Sequence, residues 1–408
     1  MRSGVLCASL AAMLLPSSAG AQSLPLTEAE ALARLSPNSP RVRAIRAGVE
    51  VARADVVAAK RWPNPRVTFD RESVAGIAEN MTMVAQPLPI SGRRDLEIQS
   101  ALAGVDAAAN RSDDAMRRAR TDLRLAFAQL VAAQAREREL TASRDRLQEL
   151  ARIIERREAA GDAAGFDRLR AEREVQDVDT DRAVAATERA RAQATVVGFF
   201  PDVIDPSGLV AVGSTALPVT LPSVEALLER AESVRGELLA LRNEAAAARI
   251  AARAADRRRV PEPEIVAGTK SSTAGGGDLG SVVTVHASIP IFDRGQPERA
   301  LALARANQAE ARADAFRVLL RSEIAALRAA VVGHRQTADR YRASVLNNAG
   351  QIERIAQVSY DAGERGILEL LDAYRTGASA RIRQAALDLI ARQAELELEF
   401  ASGGEIQQ

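Results

Sequence analysis

The stretch AGDAAGFDRLRAER at 160–173 returns about two hundred residues later as AGERGILELLDAYR at 362–375. Laid together without a gap, Gly161 falls on Gly363, Asp162 on Glu364 and Asp167 on Glu369. Leu169, Ala171 and Arg173 likewise fall on Leu371, Ala373 and Arg375. A chain that writes one turn twice, half its length apart, is built from two like units stacked on each other or on copies of themselves.

Proline sets the punctuation around these turns. None occurs between Pro89 and Pro201, and none after Pro297. Helix interiors exclude proline, so both tracts predict long helices. In the first, Leu123, Phe127 and Leu130 are spaced i, i+4, i+7, and Leu140, Leu147 and Ile154 continue at heptad spacing. In the second, Tyr341, Val345, Ile352, Ile355 and Ser359 repeat the pattern, followed by Leu387, Ile390, Ala394 and Leu398. Such narrow seams predict helices packed side by side. From Arg93 to about Arg157 an unbroken helix would reach roughly 100 Å. Each tract breaks once, where Gly161 or Gly363 suits the left-handed residue that ends a helix. The acid Asp167 or Glu369 then stands at the start of the returning helix.

The duplication extends upstream. RWPNPRVTF at 61–69 corresponds to RVPEPEIVA at 259–267, and PLPISG at 87–92 to SIPIFDRG at 288–295. Between these markers the helical period gives way to alternation. Val67 and Phe69 alternate with Thr68 and Asp70; Met81, Met83 and Ala85 with Thr82, Val84 and Gln86; Val283, Val285, Ala287 and Ile289 with Thr284, His286 and Ser288. Each half therefore predicts one β-hairpin, with strands at about 66–72 and 80–88 and at about 264–270 and 281–291. RESVAGIAEN and GTKSSTAGGGDLG read as loops. The expected fold is mainly α with a small β part, a helix–β-hairpin–long helix–helix unit written twice. Its expected divisions are a first repeat at 22–204, a linker at 205–223, a second repeat at 224–402 and a tail at 403–408. Four strands cannot close a barrel alone, and an open sheet in a membrane leaves its edges unsatisfied. A chain spanning a membrane this way must pool strands with other copies.

Residues 1–21 read as a secretory signal: Arg2, an apolar stretch from Val5 to Leu15, and Ala19-Gly20-Ala21 before a cut at Gln22. The only cysteine, Cys7, lies inside it, so disulfides and thiolate metal sites are not expected in the mature chain. Lys plus Arg number 55 against 54 Asp plus Glu, with none of the basic excess of a nucleic-acid surface. Apolar residues are 47% of the chain but aromatics only 3%, which favours long helices over a broad aromatic core. His286 and His334 are the only histidines and fall in different elements, short of the three or four ligands a metal site needs. The glycine-rich 268–280 stretch lacks the order of a phosphate loop. No catalytic residue, metal site or cofactor is expected.

The ordered set of signal, ALARLSPNSPRVRAIRAGVEVARADVVAAKRWPNPRV, hairpin, QPLPISGRR and helical pair, then the whole set again, resembles the TolC-type outer-membrane efflux proteins. QPLPISGRR leading into the first long helix is most similar to the heavy-metal branch, the cobalt-zinc-cadmium (CzcC-like) ducts of RND tripartite systems. The resemblance implies a homotrimer whose twelve strands form one outer-membrane barrel, continued as an α-helical tunnel into the periplasm. It also implies two partners, a periplasmic adaptor (membrane fusion protein) and an inner-membrane RND pump, and no nucleic acid. The repeated turn becomes the periplasmic tip, where the family closes its tunnel. By resemblance the gate tyrosine falls on Tyr360, the gate arginine on Arg365, the two acidic constriction positions on Glu369 and Asp372, and the partner acid on Asp167. Glu369 stands where the family usually has aspartate. The strands and their borders carry only Trp62, Phe69 and Phe292 as aromatics, a sparse girdle for a barrel. The implied function is an exit duct for heavy-metal cations; a drug-efflux or type I secretion duct is the alternative cargo reading. A periplasmic coiled-coil adaptor or scaffold is the alternative of another class, disfavoured by the presence of two hairpin copies.

Overall fold

The computed structural model describes residues 24–162, 164–202, 204–213 and 220–405. The expected signal and its cleavage point lie outside them. Strand β1 (Leu24–Thr27) leads into α1 (Glu28–Ala33) and α2 (Pro40–Lys60). Hairpin β2 (Arg66–Val74) and β3 (Ile77–Pro87) follows, then α3 (Arg93–Ala159) and α4 (Gly165–Val197). After β4 (Leu209–Val212) the plan repeats: α5 (Val224–Val234) and α6 (Gly236–Asp256), hairpin β5 (Pro263–Ser272) and β6 (Asp278–Ala287), then α7 (Gln296–Tyr341), α8 (Asn347–Asp361) and α9 (Ile367–Ala401).

Helix α3, with 67 residues, is the spine. At 1.5 Å per residue it is about 100 Å long. It packs against α2, α4, α6 and α9, and α7 packs on α6 and α9. Leu123, Phe127, Leu130, Leu140, Leu147 and Ile154, the seam expected from the heptads, are all buried.

The second seam differs from expectation. Val345, Ile352 and Ile355 are exposed. Residues Arg342–Leu346 form a π turn that joins α7 to α8 in one continuous helix. A π turn takes in an extra residue and rotates everything after it. The seam therefore moves on by one position. Leu346 and Glu353 are partly buried, and Ala356 and Tyr360 are buried, where the heptads point to Val345, Ile352, Ile355 and Ser359.

Two further differences concern strands. The hairpin strands run through most of the stretches read as loops, with Val74 paired to Ile77 across a two-residue turn. The segment read as a linker carries β4, which pairs in parallel with β1, Leu24 opposite Leu209. Leu26, Leu209 and Ala211 from this small sheet join Leu123, Phe127, Leu130 and Phe200 in one apolar cluster.

Charge also holds the helices together. Arg392, 4% exposed, pairs with Glu28 at 3.2 Å and Glu395 at 3.4 Å. Arg335 also binds Glu395, and Arg124 bridges Glu28 and Glu399. Three arginines and three glutamates thus tie α1, α3, α7 and α9 together. Removing a single partner would leave a charge uncompensated in a dry place.

One close approach fixes how α6 lies on α3. A Cβ added to Gly236 would sit 2.1 Å from the Asn110 carbonyl oxygen. Gly236→Ala is expected to push the helices apart and cost about 1–3 kcal/mol, as overpacking does. Gly48→Ala, on α2 with nothing within 4 Å, is expected to be neutral or to gain up to about 1 kcal/mol. Thermal melting of the two variants in detergent checks the contrast.

Candidate functional site

The tip is built twice by the same hydrogen bonds. At the end of α3, Gly161 N–H donates to Glu158 O at 2.9 Å and Asp162 N–H to Arg157 O at 2.8 Å. At the end of α8, Gly363 N–H donates to Tyr360 O at 3.0 Å and Glu364 N–H to Ser359 O at 2.9 Å. Both are the paired closure that needs a left-handed residue, supplied by Gly161 at φ 87° and Gly363 at φ 73°. Asp167 and Glu369 then take the same position, three residues past the N-caps Ala164 and Gly366. Negative charge is favoured there by the helix dipole.

The predicted gate residues divide into two groups. Arg365, Glu369 and Asp372 line one groove of about 420 Å³ together with Ile352, Ile355 and Thr376. All three charged side chains are exposed, and Asp372 pairs with Arg375 at 3.0 Å. Tyr360 and Asp167 are not among the groove's lining residues. Tyr360 is 8% exposed, packed with Leu150, Ile154 and Leu370, and Arg157 stacks over its ring at 5.1 Å. In the single chain it joins the first tip to the second.

Above the tip, Arg381 braces the hairpins. It reaches Glu139 on α3 at 2.7 Å and Glu353 on α8 at 2.9 Å. Burial opposes its charge, but the hydrogen bonds it donates to Glu353 and Glu139 prevail and hold the guanidinium above its ordinary value. Nearby, burial pushes the Tyr374 phenol up, and its hydroxyl donates to Gln357. The sequence reading missed this brace, whose partners lie 242 and 28 residues from Arg381.

At the other end the four hairpin strands form one antiparallel sheet in the order β2-β3-β5-β6. Its register places Val67 opposite Val84, Ile265 opposite Gln86 and Val285, and Ala267 opposite Val84 and Val283. One face therefore presents Val67, Phe69, Val84, Ile265, Val283 and Val285, all exposed. The other face carries Asp70, Glu72 and His286, and the cross-strand pairs Arg66–Glu264 at 2.7 Å and Glu79–Lys270 at 2.6 Å. His286 lies opposite Glu264, and His334 is exposed on α7. Among the described residues no group of three or more His, Cys, Asp or Glu side chains is placed to hold a metal ion.

Residues 227–404, spanning α5 to α9, match the family of outer membrane efflux proteins. The chain is 25% identical over 366 residues to the cobalt-zinc-cadmium resistance protein CzcC of Cupriavidus metallidurans, covering 88% of this chain and 85% of the relative. Its fold is that of the Campylobacter jejuni CmeC outer membrane channel, with a TM-score of 0.75 at 14% identity over 93% of this chain and 86% of the other. The open-state MtrE channel of Neisseria gonorrhoeae also superposes with a TM-score of 0.75, at 16% identity over 93% and 89% of the two chains. The family that residues 227–404 match is one of non-catalytic outer-membrane ducts.

Tyr360 holds the tip by its ring, since no partner for its hydroxyl is present among the described residues. Tyr360→Phe is expected to leave the tip intact, and Tyr360→Ala to cost about 3 kcal/mol or more, as aromatic truncations in cores do. Hydrogen exchange along α8 should quicken in the second variant alone.

Proposed function

We propose that three copies of this chain close a twelve-stranded barrel in the outer membrane, with the helices running on as a tunnel into the periplasm. The observation that carries this reading is the sheet itself. Its strands are 9, 11, 10 and 10 residues long, the length a tilted strand needs to cross a bilayer. One face presents exposed Val67, Phe69, Val84, Ile265, Val283 and Val285, while the other mixes a small apolar cluster of Met83, Ala85 and Val266 with charged side chains and ion pairs. Among the described residues edges β2 and β6 pair with no further strand. Hydrocarbon leaves no other partner for such edges, so β6 of one copy joins β2 of the next until the ring closes. Among the described residues no helix is long and apolar enough to cross a membrane.

The duct serves as the exit of a tripartite efflux system, fed by an inner-membrane RND pump through a periplasmic adaptor. Its cargo is heavy-metal cations; the CzcC relative supports this, and the channel folds bear on architecture alone. Residues 1–21 are the export signal, removed before assembly. Each repeat, 22–204 and 224–402, supplies one of six like units to the ring.

The tip is the gate. Three copies of the groove bring Arg365, Glu369 and Asp372 around a narrow axis, with Asp167 and Tyr360 contributed beside them. Acids gathered there repel one another unless countered and hold cations near the axis.

Crosslinking of outer-membrane fractions should trap a trimer; recovery as a soluble periplasmic monomer would overturn the duct. In planar bilayers Arg365→Ser is expected to raise conductance by loosening the closed tip. Glu369→Ala with Asp372→Ala is expected to weaken block by multivalent cations while the trimer stays folded. Unchanged conductance and unchanged block would make these ordinary solvated charges.

A further inference from the structure

The duplication repeats one more feature, which the duct reading leaves without a role. Each hairpin is entered from a helix that ends in cations. Helix α2 ends at Lys60 and is followed by Arg61 and Trp62. Helix α6 is followed by a tight turn, Arg257–Arg259. Arg61 and Arg259 occupy equivalent positions ahead of Pro63 and Pro261.

These cations are exposed, and Lys60, Arg61, Arg257 and Arg259 have no side-chain partner among the described residues. The acids around the second junction are already engaged. Asp256 holds Arg299 at 3.1 Å, Glu262 holds Arg93 at 3.4 Å, and Glu298 holds Arg258 at 2.6 Å. The four free cations therefore stand uncompensated. They also stand where the apolar face of the sheet ends. Val67, Ile265 and Val285 mark that end, and beyond it Trp62 is 57% exposed and Phe292 93% exposed. An apolar band bordered by exposed aromatic rings and then by long cationic side chains is what a bilayer interface meets.

We propose that this rim, at the helix side of the sheet, binds the anionic headgroups of phospholipids in the periplasmic leaflet of the outer membrane. The inference rests on the barrel reading. The occupant follows from charge. Guanidinium and ammonium groups suit a phosphodiester whose charge no headgroup amine offsets, as in phosphatidylglycerol, better than zwitterionic phosphatidylethanolamine. The helix side of the sheet faces the periplasm, so the leaflet is the phospholipid one. Two junctions per chain and three chains give a belt of six clusters, which pins the barrel at one height in the bilayer.

The chain carries its own reporter, because Trp62 is its only tryptophan and lies in the belt. The purified full-length mature trimer would be reconstituted in phosphatidylethanolamine bilayers containing phosphatidylglycerol, with dibrominated chains on one lipid or the other. Quenching of Trp62 then reads which headgroup lies beside it. A single cation near an anionic surface is worth roughly fivefold in lipid preference. We expect phosphatidylglycerol to be favoured at Trp62 by about fivefold or more, with the preference shrinking as salt rises. Combined Lys60→Gln, Arg61→Gln, Arg257→Gln and Arg259→Gln should bring the preference to near one. Arg257→Lys with Arg259→Lys should keep it, which separates charge from any disturbance of the fold. Equal quenching of the wild type by both lipids, or an unchanged preference in the glutamine variant, would overturn the belt alone. A stronger preference for lipid A phosphates in the same competition would overturn its assignment to the periplasmic leaflet. Trp62 left unquenched by every lipid would overturn both the belt and the barrel.

Discussion

A backbone amide placed in hydrocarbon has to find its partner within protein. The four hairpin strands satisfy that demand on the inside of their sheet and, among the described residues, leave it open along β2 and β6. Most of the architecture is intelligible as the consequence of those two open edges. On the proposed barrel reading they call for further copies, copies in a closed ring call for matching units, and a duplicated chain supplies two units per copy. The helices would then have to fit the ring that the strands of that barrel define. They do so with narrow seams of Ala and Leu that let them lie side by side over about 100 Å.

The helical ends of this design were legible because their signals are local. The heptads from Leu123 to Ile154 bury where the spacing puts them, and Gly161 and Gly363 take the left-handed conformation that ends a helix. Glu369 and Asp372 share a groove because an interval of three keeps them on one face of α9, and Arg365 joins them from the turn ahead of the N-cap Gly366. What was not legible depends on contacts far apart in sequence. Leu24 pairs with Leu209, and Arg392 reaches Glu28 across 364 positions. In a chain with 27% charged residues no local pattern singles out such a pair. The faces of the sheet were half legible: alternation marks the strands, but only the register shows that Val84 sides with Val67 and that Met81 and Met83 turn the other way.

The buried arginines and glutamates around Glu28 sit where α1, α3, α7 and α9 meet. With three positive and three negative groups the cluster is neutral as a whole. Ion pairs of this kind add little net stability over an apolar core of the same shape. Their geometry is directional, however, and adjacent small-residue seams offer little resistance to sliding along the helix axis. The pairs set the axial register that Ala and Leu leave loose.

The π turn at Arg342–Leu346 has a consequence for how a single rod can have two neighbours. Without it, α8 would present one apolar stripe, the one spelled by Val345, Ile352 and Ile355. With it, that stripe swings outward by roughly the 100° that one residue subtends. A second stripe, Ala349, Ala356 and Tyr360, faces the chain's own helices in its place. The first hairpin has no such turn in α3. The two halves of the duplication are therefore not interchangeable staves. In the proposed ring they would alternate, the second stave of each chain carrying an apolar stripe outward as well as inward.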